Sequence, residues 1–208
     1  MKSRIFFLLF LLAMSAKAQQ EGGNGQWHAP QRLLTLKESP VALIPFPQQV
    51  QWLKEGWKIP SQLTIVVDGN QPSLTENAVR SLKLLLASSS LKSNLKSLLP
   101  NEKLPPNAVL LKNANNPFLK AEGYQLNISA KGILISANDA AGFYYAVQTL
   151  RQIMAQKNAV QQLPGCNIID WPAFALRGFM HDNGRNFQSI AMLKAQLDKL
   201  SWYKFNTF

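Results

Sequence analysis

Of 208 residues, one is a cysteine and two are histidines. A lone thiol, Cys166, excludes an intramolecular disulfide framework and any cysteine-rich zinc site. His28 and His181 lie far apart in sequence, so there is no local histidine-based metal motif. No G-x-G-x-x-G, P-loop, H-E-x-x-H or G-x-S-x-G pattern occurs, and no internal repeat is visible. Neither a cofactor nor a metal is expected. Acidic residues are scarce, 11 against 22 lysines and arginines, giving a formal net charge of +11. The basic residues are nevertheless scattered (Lys54, Lys58, Lys83, Lys92, Lys96, Lys103, Lys112, Lys120) and never reach a run of five. Aromatic and basic residues do not interleave. The pattern therefore predicts a solvated basic surface and no nucleic-acid groove. Long hydrophobic runs are also missing: the one conspicuous run, Ile5 to Met14, is about half the ~20 residues that a membrane-spanning helix needs. The composition, 47% hydrophobic and 16% charged, excludes global disorder.

That apolar run follows Lys2 and Arg4 and precedes Ala16-Lys17-Ala18. A basic start, a short apolar core and small residues at the two positions read by signal peptidase predict a secretory signal peptide over 1–18. An N-terminal anchor is the alternative. Cleavage after Ala18 would remove three basic residues and no acid, lowering the net charge from +11 to +8. The mature product is expected in the periplasm or secreted, without a transmembrane span. Residues 19–40, rich in Gln, Gly and Asn around Trp27 and His28, read as a flexible leader.

Order is expected from Val41. Residues 49–54 alternate loosely as a strand, and LTIVVD (63–68) is a β-branched run bounded by turn residues, a buried strand. A helix follows, with Ser73 or Thr75 as its cap, Glu76 in its first turn, and Leu74, Ala78, Leu82, Leu85 and Leu86 on one face. The polar stretch after it has no clear structure. AVLLK (108–112) is a short strand. GYQLNIS (123–129) and GILISAN (132–138) alternate on either side of Ala130-Lys131 and predict a hairpin. Asn138 or Asp139 then caps a helix over 140–154 with Phe143, Val147, Leu150 and Met154 as its core stripe. Tyr144 and Tyr145 are expected to pack. The order β-β-α-β-β-β-α predicts an α+β unit, two helices covering a largely antiparallel sheet.

From Cys166 the texture changes, with a boundary at Pro172. ALRGFMHD predicts a strand of about seven residues. Ser189 caps a helix with Ile190, Leu193, Leu197 and Leu200 on its apolar face. YKFNTF opens another strand. Strand, helix, strand is the unit of a parallel sheet. It cannot bury its own faces, and a (β/α)8 barrel takes about 250 residues. The sequence is thus expected to be the N-terminal part of a longer protein: 41–170 an α+β accessory domain, and 171–208 the truncated start of a barrel.

Three blocks carry a resemblance: LIPFPQQVQW (43–52), EGYQLNIS…GILISANDAAGFYYAVQTLRQIM (122–154), and IIDWPAFALRGFMHDNGRNFQ…LKAQLDKLSWYKFNTF (168–208). Their order, with R-G-x-M-x-D-x-x-R, resembles glycoside hydrolase family 20, the β-N-acetylhexosaminidases. The resemblance implies an α+β domain leading into a (β/α)8 barrel, and removal of terminal β-linked N-acetylhexosamine from glycans. The chemistry it implies is substrate-assisted retaining hydrolysis, in which the substrate's acetamido oxygen attacks the anomeric carbon. An adjacent Asp-Glu pair orients the acetamide and protonates the leaving oxygen. No aspartate here is followed by glutamate, so no residue of this chain is expected to be catalytic, and the 208 residues alone are expected to be inactive. The resemblance implies Arg177 as a sugar-binding arginine, and a structural arginine pairing a carboxylate is the alternative. Asp182 and Arg185 are expected to pair and order their loop. Gly178 and Gly184 are expected at close approaches or turns, and His181 as a buried, hydrogen-bonded side chain where the family usually has an apolar one. Cys166 is expected to be an inert, near-core thiol. A second function, a non-catalytic accessory or glycan-binding α+β module, also fits the α+β part.

Overall fold

The computed structural model describes residues 39–68, 72–99, 102–156 and 162–208. The expected signal peptide, Trp27, His28 and nearly all of the expected leader lie outside the described residues. The short strands β1 (Gln49–Trp52) and β2 (Trp57–Lys58) come first. Then β3 (Gln62–Asp68) leads through helix α1 (Pro72–Ser88) to β4 (Lys92–Leu98). Next are β5 (Ala108–Asn113), β6 (Tyr124–Ser129) and β7 (Gly132–Ala137), followed by α2 (Ala140–Met154). The short β8 (Gln162–Leu163), β9 (Cys166–Asp170) and α3 (Ile190–Trp202) complete the order.

Seven strands form one sheet in the order β1-β9-β6-β7-β5-β3-β4, and β2 pairs with β8 apart from it. The sheet is mixed, which corrects the expected antiparallel one. β1–β9, β9–β6 and β6–β7 are antiparallel, whereas β7–β5, β5–β3 and β3–β4 are parallel. The missed element is β4. Its LKSNLKS texture is polar because it is an edge strand, exposed along most of its length, and such a strand carries little hydrophobic signal. With β4 in place, β3-α1-β4 becomes a parallel crossover. In the sequence β9 shows only as the start of the change of texture at Cys166, yet it fills the sheet between β1 and β6.

The two helices lie where the periodicity puts them. Ala78, Leu82 and Leu86 of α1 and Phe143, Val147 and Leu150 of α2 are buried in one core with Leu63, Ile65, Leu111, Leu126, Ile128 and Ile135 of the sheet. α1 begins at Pro72, so Ser73 and Thr75 fall inside it rather than cap it, and no acid stands in its first turn. Proline suits a first helical position, where its missing N–H would have no partner. Asp139 caps α2, its carboxylate accepting from the Gly142 N–H at 2.7 Å. The hairpin closes at Gly132, whose φ of +132° favours glycine and whose Cβ position lies 2.6 Å from the Ala108 carbonyl oxygen.

After Asp170 the chain changes character. The expected strand over ALRGFMHD is present only as an isolated parallel bridge, Gly178 to Thr207. Among the described residues the segment has one short neighbour, and one short partner segment cannot sustain a parallel ladder. α3 forms as expected, with the Ser189 hydroxyl accepting from the Met192 N–H, but none of its residues is buried. Phe174, Leu176, Met180, Phe187 and Ile190 are all exposed, Met180 to 92%. No helix among the described residues is long and apolar enough to cross a membrane.

Candidate functional site

Two cations tie the segment after Asp170 to the sheet and α2. The first is Arg177. Its Nε donates to the Lys204 carbonyl oxygen at 2.7 Å, and its Nη1 to the carbonyl oxygens of Phe174 and Ala175 at 2.7 and 3.5 Å. Its Nη2 donates to Glu122 Oε2 at 2.5 Å and to the Tyr145 hydroxyl at 3.0 Å. The guanidinium also sits 5.3 Å from the Tyr145 ring centre, a cation–π distance. A guanidinium has five N–H groups, and here five protein acceptors meet them. This is the arrangement of the structural alternative, and it leaves no donor for a sugar hydroxyl. Burial and the Glu122 carboxylate push the Tyr145 phenol up, and Arg177 partly opposes them.

The second cation is Lys204. It ends α3 as a Schellman turn: the Phe205 N–H reaches the Leu200 carbonyl at 3.2 Å and the Lys204 N–H that of Ser201 at 3.1 Å. Glycine usually fills this left-handed position, yet Lys204 holds φ +61°. Its buried ammonium donates to Asp170 Oδ2 at 2.7 Å and to the Tyr124 hydroxyl at 2.9 Å. The Tyr124 hydroxyl also donates to Asp170 Oδ2 at 2.9 Å and lies 2.6 Å from Thr149 Oγ1. Asp170 Oδ1 accepts from the Gln48 N–H. Burial holds the Lys204 ammonium below its ordinary value; Asp170 opposes this and Arg177 adds to it. Burial raises Tyr124 well above the usual phenol range, and the Asp170 charge adds to the rise. Beside these groups lies a cavity of about 270 Å³ walled by Phe46, Trp171 and Phe174. Sequence reasoning did not find this network, since a helix-end lysine and a strand-end aspartate look like surface residues.

Gln152 was likewise missed on the buried side of α2. Its amide nitrogen donates to the carbonyl oxygens of Ile44 and Trp202, at 2.7 and 2.8 Å, and its oxygen accepts from the Ile44 N–H at 2.8 Å. A glutamine in an apolar stripe signals a buried carbonyl or N–H with no other partner.

Asp182 and Arg185 do meet. Asp182 Oδ2 accepts from Arg185 Nε at 2.5 Å, and Oδ1 accepts from the N–H groups of Gly184 and Arg185 at 2.9 and 3.0 Å. Arg185 and then these N–H donors hold the Asp182 carboxyl below the usual range. The Arg185 side chain is 89% exposed, and both of its Nη groups are without a protein partner among the described residues. Gly178 and Gly184 make only ordinary contacts at the Cβ position, 3.5 and 3.4 Å, so neither is a close approach; Gly184 does lie in a turn, the other position expected of it. His181 is half-buried and its Nε2 finds no hydrogen-bond partner among the described residues, which corrects the expected hydrogen-bonded histidine. Cys166 is buried, which pushes its thiol up to about 12. The described residues hold no group of three or more His, Cys, Asp or Glu suited to a metal.

Residues 41–171 match the family model described as glycosyl hydrolase family 20, domain 2, and residues 174–208 match the catalytic domain of the same family. Among curated relatives, the chain is 30% identical over 97% of its length to the beta-hexosaminidase of Porphyromonas gingivalis, covering 25% of that protein. Over 42% of its length it is 41% identical to the N,N'-diacetylchitobiase of Vibrio harveyi, covering 10% of it. Among solved structures, it resembles the exo beta-N-acetylglucosaminidase of Vibrio harveyi in complex with N-acetylglucosamine. The TM-score is 0.64 and the identity 28%, over 80% of this chain and 24% of that one. The beta-N-acetylhexosaminidase of Streptomyces coelicolor gives 0.64 and 27%, over 79% of this chain and 33% of that one. The chain thus spans a quarter or less of these two curated relatives and a third or less of these two structures.

Proposed function

The chain belongs to glycoside hydrolase family 20, and from that premise we propose that the full-length protein is an exported β-N-acetylhexosaminidase. Its substrates are glycans ending in β-linked N-acetylhexosamine. The observation that carries the reading is the unbroken succession of two matches, the family's domain 2 over 41–171 and its catalytic domain from 174. Residues 171–208 are then the opening of a (β/α)8 barrel: the bridge of Gly178 to Thr207 is parallel, with α3 between its two segments.

The reaction is substrate-assisted hydrolysis with retention. The acetamido oxygen attacks the anomeric carbon, a carboxylate steadies the acetamide, and a carboxylic acid gives its proton to the leaving oxygen. No residue of 1–208 is assigned to those two roles. What this chain contributes is grip on the terminal sugar. Arg177 was the expected residue, but its five N–H groups are spent on the protein. Arg185 is the better candidate: Asp182 holds its Nε and turns the two Nη groups outward, and a planar fork of that kind suits a pair of neighbouring hydroxyls.

The test is hydrolysis of an aryl N-acetyl-β-glucosaminide by the full-length gene product. Arg185→Ala should lower kcat/KM about ten- to a hundred-fold, the worth of one or two charged hydrogen bonds, with an unchanged melting temperature. Arg185→Lys should recover little, because an ammonium lacks the parallel donors. Arg177→Ala should lower the melting temperature. The 208-residue chain alone should not turn over. A full-length protein with no hexosaminidase activity, or an Arg185→Ala enzyme with normal kcat/KM, defeats the proposal.

A further inference from the structure

We infer that Glu122, on the sheet side of the molecule, is a positioning residue for sugar binding: through Arg177 it sets the paired segments that lead to the Asp182–Arg185 loop. This rests on the sugar-contacting role given to Arg185 above.

Glu122 stands just before β6 with φ +59°, a left-handed conformation that is uncommon for a residue with a side chain. Glycine or asparagine would adopt it at lower cost. Its geometry is held from behind. One Asp139 oxygen accepts from the Glu122 N–H at 2.8 Å, while the other caps α2 through the Gly142 N–H. Glu122 is therefore fixed to the first turn of α2, and its carboxylate is delivered to Arg177 Nη2. Among the described residues it is the one carboxylate in ion-pairing distance of Arg177, whose side chain is 15% exposed. Strain retained at one residue to keep one side chain in place marks a site under functional demand.

Arg177 in turn fastens both segments of the 177–208 pair. Its side chain reaches the carbonyls of Phe174 and Lys204. Its own carbonyl accepts from the N–H groups of Asn206 and Thr207 at 3.0 and 3.3 Å, and its N–H donates to Asn206 Oδ1 at 2.9 Å. Gly178 and Phe179 continue the pairing, with the Phe179 N–H on the Thr207 carbonyl at 3.1 Å. The Asp182–Arg185 loop is exposed; Asp182 bonds Gly184 and Arg185 within it, and one bond leaves it, from the Gln188 N–H to Asn183 Oδ1 just before α3. On its other side the loop follows directly on the segment that Arg177 anchors, and takes its placement from there. Without Glu122, a largely buried guanidinium loses its counter-charge and turns to solvent. The carbonyls of Lys204 and Phe174 are then released, and the register of 177–180 against 206–208 loosens.

The experiment uses the full-length protein with Glu122→Ala, Glu122→Gln and Tyr145→Phe, read by steady-state kinetics on the aryl N-acetyl-β-glucosaminide and by hydrogen-exchange mass spectrometry. Glu122→Ala should raise KM about ten-fold, with kcat changed much less, and should speed exchange over 178–185. Glu122→Gln should restore part of both, since the amide oxygen still accepts from Nη2. Tyr145→Phe, which removes one acceptor and keeps the ring, should fall between wild type and Glu122→Gln. In an Arg185→Ala background the KM effect of Glu122→Ala should disappear. A lower melting temperature with unchanged KM, or faster exchange confined to residues near 122, overturns the inference. If the wild-type protein hydrolyses nothing, the functional proposal fails, and the exchange measurement alone decides whether Glu122 sets the segment.

Discussion

Replacing Lys204 with Met takes the cation from a buried ion pair while keeping the length of the stem and the strained backbone. The side chains of Lys204 and Asp170 are only 7% and 9% exposed, and their charged atoms are 2.7 Å apart. Removing one partner of such a pair typically costs about 3–5 kcal/mol, because the other charge is left unpaired. One feature brings the figure down: Asp170 keeps the Gln48 N–H and the Tyr124 hydroxyl as donors. The expected loss for Lys204→Met is therefore about 2–4 kcal/mol at pH 7. Urea unfolding of the chain, followed by far-UV circular dichroism, measures it. Adding Asp170→Asn to Lys204→Met should return stability to within about 1.5 kcal/mol of wild type, since Asn Oδ1 can still accept from the Gln48 N–H, its amide nitrogen can donate to the Tyr124 hydroxyl, and no charge remains buried. The direction of the Lys204 shift gives a third reading. Its folded value lies below the 10.5 of the unfolded chain, so between the two the unfolded state binds more protons. Wild-type stability then gains from Lys204 as pH rises through that window, and the Met variant lacks this gain. A loss below 1 kcal/mol at pH 7 would refute the reasoning by showing that the pair is solvated.

Leu150 has no exposed surface, so Leu150→Ala should cost about 2–5 kcal/mol in the same urea assay; a loss under half a kcal/mol would mean that the α2 face is misassigned. The Cys166 thiol, raised by burial to about 12, should resist an aromatic disulfide reagent at pH 8 until the chain is unfolded, and rapid labelling of folded protein would contradict its burial. Because Arg185 and two backbone donors lower the Asp182 value below 3.8, the order of the 182–185 loop should be complete above that ordinary value. It should be lost as pH falls through the lowered one, which the Gly184 amide shift in an acid titration would follow. N-terminal sequencing of exported protein should begin at Gln19; a mature chain that still starts at Met1 would remove the export proposal.

How much could be read in advance depended on how much of each element is buried on one face. The hairpin and α2 were legible to the residue or nearly so, because their apolar positions repeat cleanly and Gly132 and Asp139 punctuate them. β4 was not, since an edge strand packs on one side only and has no apolar period to show. The same loss of signal misled in the other direction at ALRGFMHD, which has strand composition but lacks the neighbours that would make it one. Of the candidate site, the Asp182–Arg185 pair followed from spacing. The partners of Arg177 and Lys204 did not, because Glu122 is 55 positions from Arg177 and Asp170 is 34 from Lys204. Lys204 also disguises the end of α3: a Schellman turn without glycine leaves no mark in the sequence, and the lysine there places its ammonium on Asp170 and Tyr124.

The buried pairing at Asp170 bears on how this protein can be cut. A clone ending near Trp171, the natural place to excise the sheet and its two helices, would separate Asp170 from Lys204 and Glu122 from Arg177 in a single step. Two carboxylates would be stranded, one of them in the floor of the sheet beside Tyr124 and Thr149. Poor yield from such a clone would then report the cut, and say nothing about whether the sheet and helices can fold independently. Carrying Asp170→Asn and Glu122→Gln in the shortened gene removes both orphaned charges while keeping one acceptor oxygen at each position. The same reasoning favours an end after Phe208, where both cations travel with their partners.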